Sequence, residues 1–142
     1  VARFYTIDSA NAQLTLVRPL LERLREQREE LIRLRDEALA LKTAVEGTSA
    51  GGGLFDGADP NGERRRLKLR MQAIVDQMQA AVIQLDRWSV TLRDIQTGLV
   101  DFPALVNGRQ IWLCWRLGEA EIAWWHELDA GFAGRKPLIE LA

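Results

Sequence analysis

"IWLCWRLGEAEIAWWHEL", residues 111–128, gathers four of the chain's five tryptophans around its only cysteine and its only histidine. Branched and aromatic residues on either side of Gly118-Glu119-Ala120 predict two antiparallel strands joined by a short turn. With the turn centred on Glu119-Ala120, Leu117 faces Ile122, Trp115 faces Trp124, Leu113 faces His126 and Ile111 faces Leu128. Side chains alternate across a strand. One face then carries Ile111, Leu113, Trp115, Leu117, Ile122, Trp124, His126 and Leu128, and its apolar character makes it the expected core side. The other carries Trp112, Cys114, Arg116, Ala123, Trp125 and Glu127, with Arg116 diagonal to Trp125 at cation–π range. In this register Cys114 and His126 point to opposite faces, which rules out a shared metal ion or a nucleophile–base pair. No catalytic residue, metal ligand or cofactor is therefore expected.

The flanks extend the same sheet. Asn107-Gly108 in "VNGRQ" is a strong hairpin signal, and residues near Phe102 to Val106 are expected as a third strand. Downstream, "LDAGFAGRKPL" offers Gly131 and Gly134 for a tight loop beside Arg135 and Lys136, suited to a carboxylate or phosphate. The plainer reading, which we favour, has Phe132 plugging the core while the glycines turn the chain. The mixed face and the tail together define an expected ligand-meeting set: Trp112, Arg116, Trp125, Glu127 and Arg135.

Two long heptad seams precede this module. Over residues 6–46, with Thr6 as N-cap, the positions Val17, Leu20, Leu24, Gln27, Leu31, Leu34, Ala38, Leu41 and Val45 follow a three–four spacing. Pro19 is a candidate kink or restart point. Residues 47–62, rich in glycine, read as a flexible connector, with Leu54 and Phe55 as its apolar residues. A second seam from Leu67 through Trp88 to Ile95 predicts a helix over 63–97, closed by Gly98 at C′.

The fold class is therefore α+β: a long antiparallel two-helix coiled-coil hairpin (residues 1–98) followed by a small antiparallel β-sheet (residues 99–142), tryptophan-rich and packed on the helix ends. Leu21, Ile32, Leu39, Val75 and Val82 flank the seams and would stay wet in a lone hairpin. A second copy of the hairpin is the simplest cover, giving a homodimer, and the C-terminal segment is the competing one.

A net charge of −1 gives no general attraction to nucleic acid or anionic membrane. Arg64, Arg65, Arg66, Lys68 and Arg70 in "ERRRLKLR" sit at a helix start, where Asp36, Glu37 and Glu46 are expected to offset them. A nucleic-acid patch is the weaker reading, since no aromatic residues interleave. One cysteine excludes an intrachain disulfide framework, no apolar run is long enough to span a membrane, and no signal pattern opens the sequence. A soluble, cytoplasmic protein is expected.

The opening "FYTIDSANA" with "GLVDFPAL", "NGR", "LCWRLGE" and "WWHELDAGFAGRKP" resembles the bacterial family catalogued as domain of unknown function 2203, along the whole chain. Ser9 stands where members of that family often carry an acidic residue. The resemblance implies no activity, cofactor or catalytic residue. The functional expectation is a non-enzymatic, self-associating structural or interaction protein. The alternative is a module binding a small anionic or aromatic ligand through the C-terminal hairpin and the glycine-containing tail.

Overall fold

The computed structural model describes residues 3–46, 59 and 61–141. The connector expectation, with Leu54 and Phe55, falls on residues 47–58 and 60, outside the described residues, as does the side chain of Val45. Helix α1 spans Ile7–Glu46, α2 spans Glu63–Arg87, and five strands follow: β1 Thr91–Asp94, β2 Leu99–Val106, β3 Arg109–Arg116, β4 Trp124–His126 and β5 Lys136–Pro137. The chain is thus α+β, as its patterning predicts.

Thr6 and Ser9 start α1 reciprocally. The Ser9 N–H donates to Thr6 Oγ1 at 3.0 Å, and the Thr6 N–H donates to Ser9 Oγ at 2.8 Å. Serine thus completes the capping box that an acidic residue usually closes. The helix continues through Pro19 without a restart. At the start of α2, the Asp59 carboxylate accepts from the Arg64 and Arg65 N–H groups. Those bonds hold its pKa below the usual carboxylate range.

The expected helix to Thr97 is corrected: α2 stops at Arg87 and residues 91–94 form a strand. The stop is a Schellman turn. Ser89 takes φ 59°, its N–H bonds Asp86 O at 2.9 Å, and the Val90 N–H bonds Leu85 O at 2.9 Å. Leu85 and Val90, both buried, provide the hydrophobic contact that accompanies this motif. Gly98 does not cap a helix but lies between β1 and β2 with φ 66°.

The sheet is an antiparallel meander in order β1-β2-β3-β4-β5. Asn107 and Gly108, at φ 52° and 77°, turn β2 into β3 as a type I′ hairpin requires. Pro103 is tolerated in β2 because its carbonyl points past the end of β1, accepting from the Tyr5 N–H at 2.7 Å; its missing N–H faces the same side, so no ladder bond is lost. The core face carries Val100, Phe102 and Ala104 against Trp115, Leu113 and Ile111, all buried.

Two compact units divide the chain, Val1–Arg25 with Ala81–Ala142, and Glu26–Ala80. In the first, Ala10, Leu14, Val17, Leu21 and Leu24 of α1 are buried, as is the sheet core, so Leu21, expected to stay wet, is covered. In the second, the helices run antiparallel: Gln27 Nε2 donates to Gln77 Oε1, and Arg70 pairs with Glu30 at 2.9 Å. The partner of Arg70 is Glu30, and Asp36 pairs instead with its neighbour Arg35. Among the described residues, no helix is long and apolar enough to cross a membrane.

Candidate functional site

The β3–β4 register differs from the expected one by a single residue. Trp112 pairs with His126, Leu113 with Trp125 and Cys114 with Trp124. This overturns the assignment of His126 and Trp124 to the core face and of Trp125 to the other. Trp125 is the buried partner of Leu113, while His126, Trp112 and Cys114 share the opposite face. The connection, residues 117–123, is no tight two-residue turn. It is tied down by Leu117 N–H to Gly98 O, Glu119 N–H to Arg116 O and Ile122 N–H to Asn11 Oδ1.

The consequence is chemical. Asp101 pairs with Cys114 across β2 and β3, so a carboxylate, a thiol and an imidazole meet on one face of three adjacent strands. One atom from each of Asp101, Cys114 and His126 lies within 4.8 Å of the other two. Their exposures are 2%, 1% and 2%. The expected separation of Cys114 from His126, and the exclusion of a shared ion based on it, do not hold.

His126 Nε2 lies 3.0 Å from Asp101 Oδ1, and Nδ1 lies 2.7 Å from Glu127 O. Both ring nitrogens thus face oxygen. Arg93 donates from Nε to Asp101 Oδ2 at 2.8 Å. It reaches that position from a β-bulge: Leu92 pairs with Val100 and Asp94 with Leu99, leaving Arg93 as the extra residue. Burial, aided by the Asp101 charge, pushes the Cys114 thiol up to about 11, with Arg135 beside it drawing the other way. Both imidazole nitrogens are committed to oxygen, and burial favours the protonated thiol of Cys114.

These groups floor a recess of about 350 Å³, walled by Leu99, Leu128 and Phe132 and reached by Arg93 and Asp129. Phe132 does not plug the core. It is 37% exposed in a single 3-10 turn, Phe132–Gly134, with the Arg116 and Arg135 guanidiniums 4.9 Å and 4.3 Å from its ring centre.

The expected ligand-meeting residues are dispersed. Trp112 lies under Arg93, with 5.1 Å between guanidinium carbon and ring centre. Trp125 faces the core, where Lys136, not Arg116, is its cationic neighbour. Glu127 pairs with Arg109. Arg135 pairs with Glu119 at 2.9 Å and covers Trp124. None of the five lines the recess. Arg93 and Asp101, on strands that sequence reading placed in a helix or left unassigned, are the residues of the cluster it missed. For Asp101 the signal lay in "VDF", an acid between two apolar residues; for Arg93, between Leu92 and Asp94, there was none.

The fold and site define an α+β protein in which two helices are followed by a five-stranded meander with a buried Asp–Cys–His cluster on one face. The chain belongs to the family described as "Uncharacterized conserved protein (DUF2203)", whose model matches residues 3–138. No curated protein and no solved structure matches it.

Proposed function

We propose that this protein is a small-ligand-binding module whose site is the recess over Asp101, Cys114 and His126. The observation that carries this reading is the burial of three titratable side chains of different chemistry at the floor of a concave, half-apolar depression. Such a convergence of polar groups under apolar walls is what binding sites share, and plain packing has little need of it. The structure-building role would be served more cheaply by three apolar residues of similar volume. Phe132 is the natural handle for a test, because it forms a wall and stands partly free of the core. A panel of small carboxylic acids, phosphates and nucleotides is screened for a rise in melting temperature and a change in tryptophan fluorescence. The response expected of the unmodified chain is lost in Phe132→Trp, which fills the recess. A panel that leaves the melting temperature unmoved throughout removes the reading.

A second reading concerns the unit Glu26–Ala80. Leu39 and Leu69 are 47% and 63% exposed there, and burying a leucine fully is worth about 1.5–3 kcal/mol. We infer self-association of the hairpin through these side chains. Light scattering tests it directly: the dimer mass is expected to fall to the monomer's in Leu39→Glu/Leu69→Glu, and a monomer in the parent chain ends the reading.

A further inference from the structure

We propose that Asp101, Cys114 and His126 bind one divalent transition-metal ion of the zinc class, with its fourth coordination position opening into the recess. The inference rests on the recess reading for that open position and names the ligand class of the same site.

The donor set comes first. A thiol, an imidazole and a carboxylate together suit zinc and its neighbours, whereas magnesium and calcium take oxygen donors. Metal–ligand bonds of about 2.0–2.3 Å in a tetrahedron place the donor atoms about 3.4–3.6 Å apart. The cluster, whose donor atoms all lie within 4.8 Å of one another, reaches that spacing by a movement of about 1 Å in its widest pair.

The outer partners are already in place. Arg93 holds Oδ2 of Asp101, which leaves Oδ1 turned inward. The Glu127 carbonyl accepts from His126 Nδ1–H, which leaves Nε2 as the inward atom. Orientation of a ligating histidine by a carbonyl at its other nitrogen is the usual arrangement in metal sites. The three ligands stand on neighbouring, hydrogen-bonded strands, so the backbone fixes their spacing before any ion arrives.

Cys114 decides between an ion site and a structural network. The chain Arg93–Asp101–His126–Glu127 is a closed hydrogen-bonded set without it. The Cys114 sulfur lies outside that set, with the Arg135 guanidinium as its hydrogen-bond neighbour, yet it stands within 4.8 Å of an Asp101 oxygen and a His126 nitrogen, where it supplies the third ligand of a metal site. On binding, the ion replaces the proton held between Nε2 and Oδ1 and the thiol proton, and both leave to water. Three protein ligands then leave one position for water or a ligand, as in catalytic rather than structural zinc sites.

The test is cobalt(II) titration of the full chain after removal of metals by a chelator. Since the sequence holds a single cysteine, a sulfur-to-cobalt charge-transfer band reports Cys114 without any substitution. The expected result is tetrahedral cobalt at one equivalent per chain, with that band, displaced by zinc(II). Cys114→Ser loses the band, and Arg93→Gln weakens cobalt binding about 10–100-fold while keeping it. Cobalt bound without a sulfur band, a band saturating at half an equivalent, or no binding overturns the inference. If no sulfur band forms while Phe132→Trp still abolishes stabilisation by an organic ligand, the ion falls and the recess reading stands. A sulfur band with no ligand response at the recess removes that reading, and the open position with it.

Discussion

The His126 imidazole and the Asp101 carboxylate meet at 3.0 Å between Nε2 and Oδ1, both buried at the floor of the recess. Arg93 closes the other carboxylate oxygen and the Glu127 carbonyl closes the other ring nitrogen. A buried carboxylate needs such partners, because an isolated charge in this position costs several kcal/mol. The relationship sets both the stability of the sheet and the direction in which its donor atoms point.

Removing one member leaves the others unsatisfied. Asp101→Ala is expected to lower the unfolding free energy by about 3–5 kcal/mol, the usual cost of breaking a buried charged pair from one side. Asp101→Asn keeps an acceptor for His126 and costs less. Urea denaturation of the metal-free chain measures both, and equal midpoints for Asp101→Ala and the parent would show that the pair contributes nothing.

Cys114 carries a pH signature. Burial, then the Asp101 carboxylate and Glu119, raise the thiol from its ordinary 9.0 to about 11, and Arg135 only partly opposes them. The unfolded chain therefore loses this proton first. The contribution to stability is complete below pH 9 and is lost as pH rises from 9 to about 11. Stability of the metal-free chain measured across that window is expected to fall more steeply than that of Cys114→Ser, whose hydroxyl does not titrate there. Parallel curves would contradict it.

What the sequence made legible follows from how redundant each signal is. The helical seams, the Asn107-Gly108 turn and the dry face of Ile111, Leu113 and Trp115 are each written several times over. The β3–β4 register is not. Trp124 and Trp125 are adjacent and equally apolar, so either face of that strand can serve as core, and a one-residue slip exchanges them. That slip separated Cys114 from His126 on paper and hid the cluster. The end of α2 was hidden differently. Leu92 and Ile95 happen to continue the heptad spacing, and the left-handed residue that ends the helix is Ser89, where glycine is the familiar sign.

Ser89 therefore makes a test of that helix end. A non-glycine residue at φ 59° bears a steric penalty, while glycine bears an entropic one of smaller size. Ser89→Gly is expected to stabilise by about 0.5–1 kcal/mol despite losing the Arg3 N–H bond to Ser89 Oγ, which is solvent-exposed. Thermal unfolding reads the change, and a lowered midpoint would mean the Arg3 contact outweighs the backbone term.

Gly98 faces the opposite constraint. Its φ is 66°, and a Cβ there would lie 2.5 Å from Leu117 Cγ and Cδ1. Gly108 has φ 77° but open space around it. Gly98→Ala thus meets backbone strain and a clash, at about 1–3 kcal/mol for the strain alone, whereas Gly108→Ala meets the strain only. Denaturation midpoints are expected to fall further for Gly98→Ala, and the reverse order would put the β1–β2 turn in another conformation.

The register itself can be decided by the two adjacent tryptophans. Trp125 packs on the core side opposite Leu113, and Trp124 lies half-buried between Cys114 and Pro137 on the other face. Truncating a fully buried tryptophan costs about 3–5 kcal/mol, because the cavity it leaves cannot collapse. Trp125→Ala is expected to bear that full cost. Trp124→Ala is expected to bear less, since its ring is also covered by the movable Arg135 guanidinium and solvent can refill the space. Equilibrium unfolding of the two variants gives the answer. Should Trp124→Ala prove the costlier, the strand would sit one residue over, His126 would turn into the core, and Asp101 and Cys114 would lose their third partner.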